Sequence, residues 1–166
     1  LVAATNPCPC GFAGEQERCR CTETDLARHA RRLSGPLIDR IDIVVSVHRP
    51  SADALAAGPD ADSATIRATV VEARERQAAR LEGTGVVCNA HMDAKLVRRD
   101  APLDEDGEAT LGAAYDRGQL SARGHERVLK VARTIADLAG SERVRAEHIS
   151  QALTLRGEER TFEVVA

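Results

Sequence analysis

Four of the five cysteines lie within a short early stretch, as two close pairs: Cys8-Pro9-Cys10 and Cys19-Arg20-Cys21. Between them run Gly11-Phe12-Ala13-Gly14 and four polar residues, a loop short enough to bring four sulfurs around one ion. Zinc accepts such a set as a tetrahedral thiolate site. Four thiolates close the coordination shell and leave no position for water, so the role expected of the metal is structural. A Cys-x-Cys pair is tighter than the usual Cys-x2-Cys, and both sulfurs reach one ion only if the backbone bends. Pro9 helps the first pair bend; Arg20 gives the second no such help. Disulfides are the alternative, but in a cytosolic chain close pairs mean metal more often. Cys88 has no partner nearby in sequence and reads as a small buried or half-buried side chain.

Composition narrows the function classes. The chain has 166 residues, enough for one domain or two small ones. Its 23 basic and 26 acidic side chains give a formal net charge of -3, so no global basic field recommends nucleic acid for this segment by itself. Aromatic residues make up 2%, which rules against a base-stacking platform and leaves Leu, Ile, Val and Ala to build the core. No apolar run approaches a membrane span, and no secretory pattern opens the chain. The first residues lack an initiator Met and fall inside an apolar run, which reads as a fragment cut at a strand. A cytoplasmic location is the default.

The pattern predicts an α/β piece followed by helices. Leu1 to Thr5 reads as a short buried strand, and Asn6 to about Thr22 as the cysteine loop. A helix fits Glu23 to Leu33 with Thr22 as its cap. Ser34-Gly35-Pro36 breaks it and Leu37 to Arg40 turns. Ile41 to Val47 has the β-branched density of a strand buried on both faces. Residues 49–62, rich in Ala, Gly, Pro and Asp, read as a linker. Helices are then expected over Ser63 to Leu81, Asp93 to Arg98, Asp104 to Arg117, Ser121 to Ala139 and Ala146 to Arg156. Gly140 sits where a helix C-terminus calls for glycine. Ile66, Val70, Ala73, Gln77 and Leu81 form one apolar stripe, Leu111, Ala114 and Tyr115 a second, and Val128, Val131, Ala132, Ile135 and Leu138 a third. The tail 158–166 is expected to fray, with Thr161 to Val165 able to pair as a short strand. The resulting division is 1–48, 49–62, 63–157 and 158–166. The part after Ser63 is expected to be the well-packed one, because unpaired apolar strands invite partner pairing or disorder.

Three polar positions admit chemistry. Asn6 directly follows an apolar run; at the carboxyl end of a parallel strand, an amide orients a water or touches a phosphate, while Asn-Pro alone is a turn. Arg40, between Asp39 and Asp42, is either locally paired or projected at a neighbouring subunit's nucleotide. Arg123 lies in the first turn of the Ser121 helix, where the helix dipole disfavours a cation; it is either a solvated surface group or the partner of an anion. The five histidines do not cluster with carboxylates at ligand spacing, and no Ser/His/Asp set is present. No Gly-x-x-x-x-Gly-Lys-Ser/Thr loop occurs either.

Taken in order, Asn-Pro-Cys-Pro-Cys-Gly with a later Cys-x-Cys, Arg-Arg-Leu-Ser-Gly-Pro-Leu-Ile-Asp-Arg-Ile-Asp, and Leu-Ser-Ala-Arg followed by Val-Leu-Lys-Val-Ala-Arg-Thr-Ile-Ala-Asp-Leu resemble the magnesium-chelatase-like AAA+ ATPases of the ComM/YifB type. The resemblance runs from residue 1 to about 157. It implies the C-terminal part of an AAA+ core, with two strands, one helix and the cysteine loop, followed by the helical lid. It implies that Asn6 is the sensor-1 residue, Arg40 an arginine finger acting in trans and Arg123 the sensor-2 arginine on the ATP phosphates, with Arg127 a second candidate. Cys8, Cys10, Cys19 and Cys21 match the cysteine insertion of this branch; the expected cofactors are Zn2+ at that loop and, in the full-length protein, ATP and Mg2+. The implied partners are further copies in a ring, a hexamer, and DNA, with no membrane. The implied activity is an ATP-driven, branch-migration-helicase-like motor of DNA recombination and competence.

Walker A and Walker B lie upstream in that family and are absent here, so this segment is expected to be inactive alone. One smaller departure is the last helix, which lacks a Thr, Ser or Asp cap near Arg145. A chelatase-type motor acting on a metal-insertion complex, and a zinc-stapled interaction module without motor function, are the competing readings.

Overall fold

The computed structural model describes residues 1–14, 17–32, 40–47 and 49–157. They fall into two compact units, one drawn from Leu1–Val44 and Arg156–Ala166, the other Val45–Leu155. The predicted break at Ser34-Gly35-Pro36, the turn before Arg40 and the tail 158–166 with its short strand lie outside the described residues.

The structure is helical. In the first unit, α1 spans Glu23–Ala30 and starts at the Thr22 cap that its sequence signals. Neither predicted strand forms among the described residues. The stretches 1–5 and 41–47 carry no ladder, and Leu1, Val2, Ile43, Val45 and Val47 are exposed. β-Branched density is a preference for a pleated, half-buried surface rather than for an isolated backbone, and no paired neighbour supplies that surface here. The α/β part of the expected fold is corrected accordingly.

The second unit holds α2 (Ala52–Ala57), α3 (Ser63–Arg80), a 3-10 turn (Asn89–His91), α4 (Ala94–Asp100), α5 (Glu105–Asp116) and α6 (Ala122–Leu138). Most of α7 (Ala146–Gly157) also belongs to it. Residues 49–62 are therefore not bare linker, since α2 forms there on a Ser51 cap. Every helix from α2 to α6 opens on a side-chain oxygen that accepts from the third backbone N–H onward: Ser51, Asp62, Asp93, Asp104 and Ser121. Asp62 caps α3, which begins at Ser63 as expected. At the start of α7, where no Ser, Thr or Asp directly precedes the helix, buried His148 accepts the Arg145 N–H at Nδ1, 3.0 Å away, so that nitrogen is unprotonated.

The core comprises Leu81, Met92, Val97, Leu111, Val128, Val144, Ile149 and Ala152 with their neighbours, all after Ser63. All three predicted stripes are shortened. Ile66 (57% exposed) and Val70 (47% exposed) stand in solvent, while Ala73, Gln77 and Leu81 are buried. Tyr115 and Leu138 are exposed too, Tyr115 meeting His125 edge-to-face with ring centroids 6.1 Å apart. A single parallel bridge, Leu103 to Val144, ties the start of α5 to the segment before α7. Glycine is required at 107, because a Cβ there would lie 2.8 Å from the Asp104 cap oxygen and 3.2 Å from the Val144 carbonyl. α6 ends in a Schellman motif: Ser141 N–H bonds Ala136 O, Gly140 N–H bonds Asp137 O, and Gly140 has φ +67°.

A buried ionic cluster joins three of these elements. Asp137 Oδ1 accepts from Arg80 at 2.7 Å and from Arg133 at 3.1 Å. Its Oδ2 accepts from Arg80 at 2.7 Å and from Asn89 at 2.8 Å. Arg133 also donates to the Glu142 and Ser141 carbonyls. Burial pulls the Arg133 guanidinium below its ordinary value, and Asp137 pushes back against that shift. Removing one partner of such a pair strands the other charge, so Asp137→Ala should destabilise this unit by about 3–5 kcal/mol in urea unfolding. Asp62 behaves differently because it is exposed. The Thr65 N–H holds its carboxyl below the usual range. Its cap therefore contributes fully above the unfolded-state pKa of about 3.9 and is lost only as pH falls through the lower folded value. The Thr65 amide shift in an NMR titration should report a midpoint below that of an ordinary aspartate.

Candidate functional site

The first unit is built around the cysteine loop. Cys8-Pro9-Cys10-Gly11 closes as a turn in which the Gly11 N–H donates to the Cys8 carbonyl at 3.0 Å, with proline in the position that presets the bend. Gly11 has φ +83°, a conformation that side chains resist. Space is not the constraint there, since a Cβ would sit 3.9 Å from the Asn6 amide.

The loop brings the four predicted ligands together. Cys8 and Cys10 sulfurs are 3.4 Å apart, Cys10 and Cys19 sulfurs 3.7 Å, and all four lie within 4.8 Å of one another. Metal–sulfur bonds of about 2.3 Å in a regular tetrahedron imply sulfur–sulfur edges of about 3.8 Å, so the set fits a tetrahedral ion. The cysteines are free thiols rather than disulfides. Backbone N–H groups of Arg20 and then Phe12 pull Cys10 down to about 6. At Cys21 the Cys10 backbone also acts downward, but burial and the Cys10 and Cys8 sulfurs outweigh it and push the thiol up to about 12. Cys19 is raised in the same way: the Cys21 backbone pulls it down and burial with the Cys10 and Cys8 sulfurs prevails. Without an ion the cluster thus favours one thiolate and resists more; a cation is what lets all four ionise. Arg18 stacks over Phe12, 3.9 Å from the ring centroid, and braces the far side of the loop.

α1 starts immediately after Cys21 through a complete capping box. Asp25 N–H donates to the Thr22 hydroxyl oxygen at 3.2 Å, and Thr22 N–H donates to the Asp25 carboxylate at 3.1 Å. The Thr22 hydroxyl, then its N–H, then the charge of Arg28 hold the Asp25 carboxyl below the usual range. One turn later, His29 donates from Nε2 to the Asn6 carbonyl at 2.8 Å. A carbonyl only accepts, so this nitrogen carries the proton. Asn6, Cys8, Asp25, Arg28, His29 and Arg32 line a cleft of about 450 Å³ between the loop and α1.

Of the other predicted residues, Arg40 is exposed and belongs to this first unit, whereas its neighbour Asp39 lies outside the described residues. Arg123 is exposed in the first turn of α6 in the second unit, and Arg127, one turn further on, is half-buried. His29 is the residue that sequence reasoning missed. Its contact spans 23 positions, and nothing in the spacing of α1 marks it. Cys88 is half-buried as expected, with its sulfur 3.6 Å from His91 Nδ1.

Two family models match in succession. Residues 1–55 match "Magnesium chelatase, subunit ChlI" and residues 60–156 match "Magnesium chelatase, subunit ChlI C-terminal". Among curated relatives, an uncharacterized protein of Mycobacterium tuberculosis is 39% identical over 156 residues, covering 94% of this chain and 31% of that protein. The uncharacterized protein YifB of Escherichia coli is 36% identical over 163 residues, covering 96% and 31%. The competence protein ComM of Haemophilus influenzae is 36% identical over 159 residues, covering 94% and 30%. The chain thus spans about a third of the length of the relatives it matches.

The cluster should take up one tetrahedral, thiolate-seeking metal ion per chain. Native mass spectrometry should give a 1:1 stoichiometry that a chelator strips. Cys21→Ser should weaken retention strongly, whereas Cys88→Ser should leave it unchanged.

Proposed function

The chain belongs to the magnesium chelatase ChlI family, and from that premise we propose that it is the sensor, arginine-finger and lid portion of a ring-forming AAA+ ATPase that couples ATP hydrolysis to DNA remodelling. The observation that carries this reading is the order of the two family segments. They run through this chain nearly end to end, with Asn6 and Arg40 on the first and Arg123 on the second. A competence protein among the relatives supports DNA as the substrate.

In this reading the Asn6 amide orients the attacking water against the γ-phosphate. Arg40 reaches the nucleotide of the neighbouring subunit, and Arg123 reaches that of its own. Phosphoryl transfer spreads charge over the γ-oxygens, and its catalysis is mostly positioning plus electrostatic stabilisation. Arginine suits both roles, because its planar donors match phosphate oxygens and it keeps its charge. The triphosphate cradle and magnesium ligands come from outside these 166 residues, which hold no Gly-x-x-x-x-Gly-Lys-Ser/Thr loop. The four-cysteine cluster binds zinc in a structural role, since a closed thiolate shell offers no open position for chemistry. Assembly into a hexamer in the cytoplasm completes the reading.

The family's own description favours a second reading, a motor that drives a metal-insertion complex. DNA separates the two: it stimulates ATP turnover by a DNA motor and leaves a chelatase-type motor unaffected.

The decisive measurement is ATP turnover by the complete polypeptide that carries this segment. Arg40→Ala should lower kcat by roughly 10³–10⁵-fold, the scale of an arginine finger. Mixing Arg40→Ala subunits with subunits whose own triphosphate cradle is disabled should restore part of the turnover, because in a mixed ring an intact finger meets an intact site. An unchanged rate removes the finger assignment.

A further inference from the structure

We infer that His29 is a positioning residue for Asn6: its Nε2–H, donated to the Asn6 carbonyl across 23 residues of chain, holds the Asn6 amide at the mouth of the cleft. The inference rests on the reading of Asn6 as the residue that faces the phosphate.

Three constraints converge on Asn6. Pro7 follows it and restricts its backbone to extended conformations. Gly11, at the end of the Cys8 turn, faces the Asn6 amide, since a Cβ placed on it would lie 3.9 Å from the amide carbon and nitrogen, so the first cysteine turn lies beside that side chain. Neither contact fixes where the Asn6 peptide sits along α1. The His29 bond at 2.8 Å does, and it is a short, direct link between that helix and the residue preceding the loop.

The anchor under His29 is itself built. The Thr22–Asp25 capping box fixes the first turn of α1 directly after Cys21, and His29 lies one turn beyond Asp25 on the same face. A metal on the four sulfurs would set the position of Cys21, and the capped helix would carry that position to His29. Asn6 is thereby gripped from the front through Pro7 and Cys8 and from behind through Cys21, α1 and His29. An amide that orients a water must be held to within a fraction of an ångström, since a small misplacement costs rate without costing binding. The donor persists in the Nε2–H neutral tautomer and in the imidazolium alike, so the clamp does not depend on the protonation state of the ring.

The test uses ATP turnover by the complete polypeptide with three substitutions. His29→Phe keeps a ring but removes the donor, while His29→Gln returns an N–H close to the Nε2 position. Asn6→Ala is the reference. The expected result is a kcat about 3- to 10-fold lower in His29→Phe, the scale of one hydrogen bond, with KM for ATP unchanged and metal content intact. His29→Gln should recover most of the rate. Wild-type kcat in His29→Phe, with Asn6→Ala inactive, overturns the inference and leaves the reading of Asn6 standing. Equal loss in His29→Phe and His29→Gln together with loss of the metal also overturns it, because His29 would then be a brace of the fold. Wild-type kcat in Asn6→Ala removes the reading of Asn6 itself.

Discussion

The carboxylate of Asp137 is the point on which the helical unit turns. It is fully buried, yet its two oxygens accept from Arg80 on α3, Asn89 on the 3-10 turn and Arg133 on its own helix. Its backbone carbonyl takes a further bond from Arg76, 2.9 Å away. A chain with 2% aromatic residues lacks the large side chains that normally set the spacing of packed helices. Directional ionic bonds do that work here. They define which turn of α3 meets which turn of α6, where Ala73, Ala132 and Ala136 allow close approach. Arg133 extends the same cluster past the end of α6 by holding the Ser141 and Glu142 carbonyls, groups that the helix terminus would otherwise leave unmet. A buried ion pair is weak support for stability when set against an apolar replacement, but strong support for one arrangement over others. In a core of Val, Leu and Ala, where shape alone discriminates poorly, that is the scarcer quality.

The cysteine loop solves a similar problem at smaller scale. The segment is too short and too polar to bury a core, and among its described residues Cys8 is the only fully buried apolar side chain. Closure comes instead from the four converging sulfurs, from the turn at Pro9 and from the stacking of Arg18 on Phe12. The opposed shifts of Cys10 and Cys21 express the same convergence electrostatically: sulfurs this close do not all ionise unless something positive joins them. The metal site and the shape of the loop are therefore one property.

Local signals were legible in the sequence, and relations over distance were not. Thr22 and Ser121 announced their helices because a short polar side chain ahead of an apolar repeat has one good use. Gly140 announced the end of α6 for an equally local reason, its left-handed backbone. The cysteine cluster was legible because all its ligands sit on one loop. The strands at 1–5 and 41–47 misled because strand propensity is a statement about neighbours, and the sequence carries the propensity without the neighbours. Ile66 and Val70 misled in the same sense: periodicity identifies a face of α3 but does not say how far along the helix that face is covered. His29 and Asp137 were unreadable, since a polar residue whose partner lies 23 or 57 positions away leaves no periodic trace.

These differences bear on where chemistry resides. A closed thiolate site performs none, and both carboxylate oxygens of Asp137 are committed to the fold. The proposed chemistry lies instead on groups at the edges of those parts: Asn6 beside the first cysteine turn, Arg40 exposed in the same unit, and Arg123 exposed in the first turn of a helix whose other end is pinned by Asp137. Asn6 and Arg123 sit beside supports that the fold itself holds, the cysteine turn and the Ser121-capped start of α6. Electrostatic catalysis of phosphoryl transfer asks for such an arrangement, because a charge or amide that must reorganise as the transition state forms forfeits much of its effect. In the proposed function a metal on the four sulfurs would matter for rate without touching the substrate: by fixing Cys8 and Cys21 it would fix both ends of the short path that leads to Asn6.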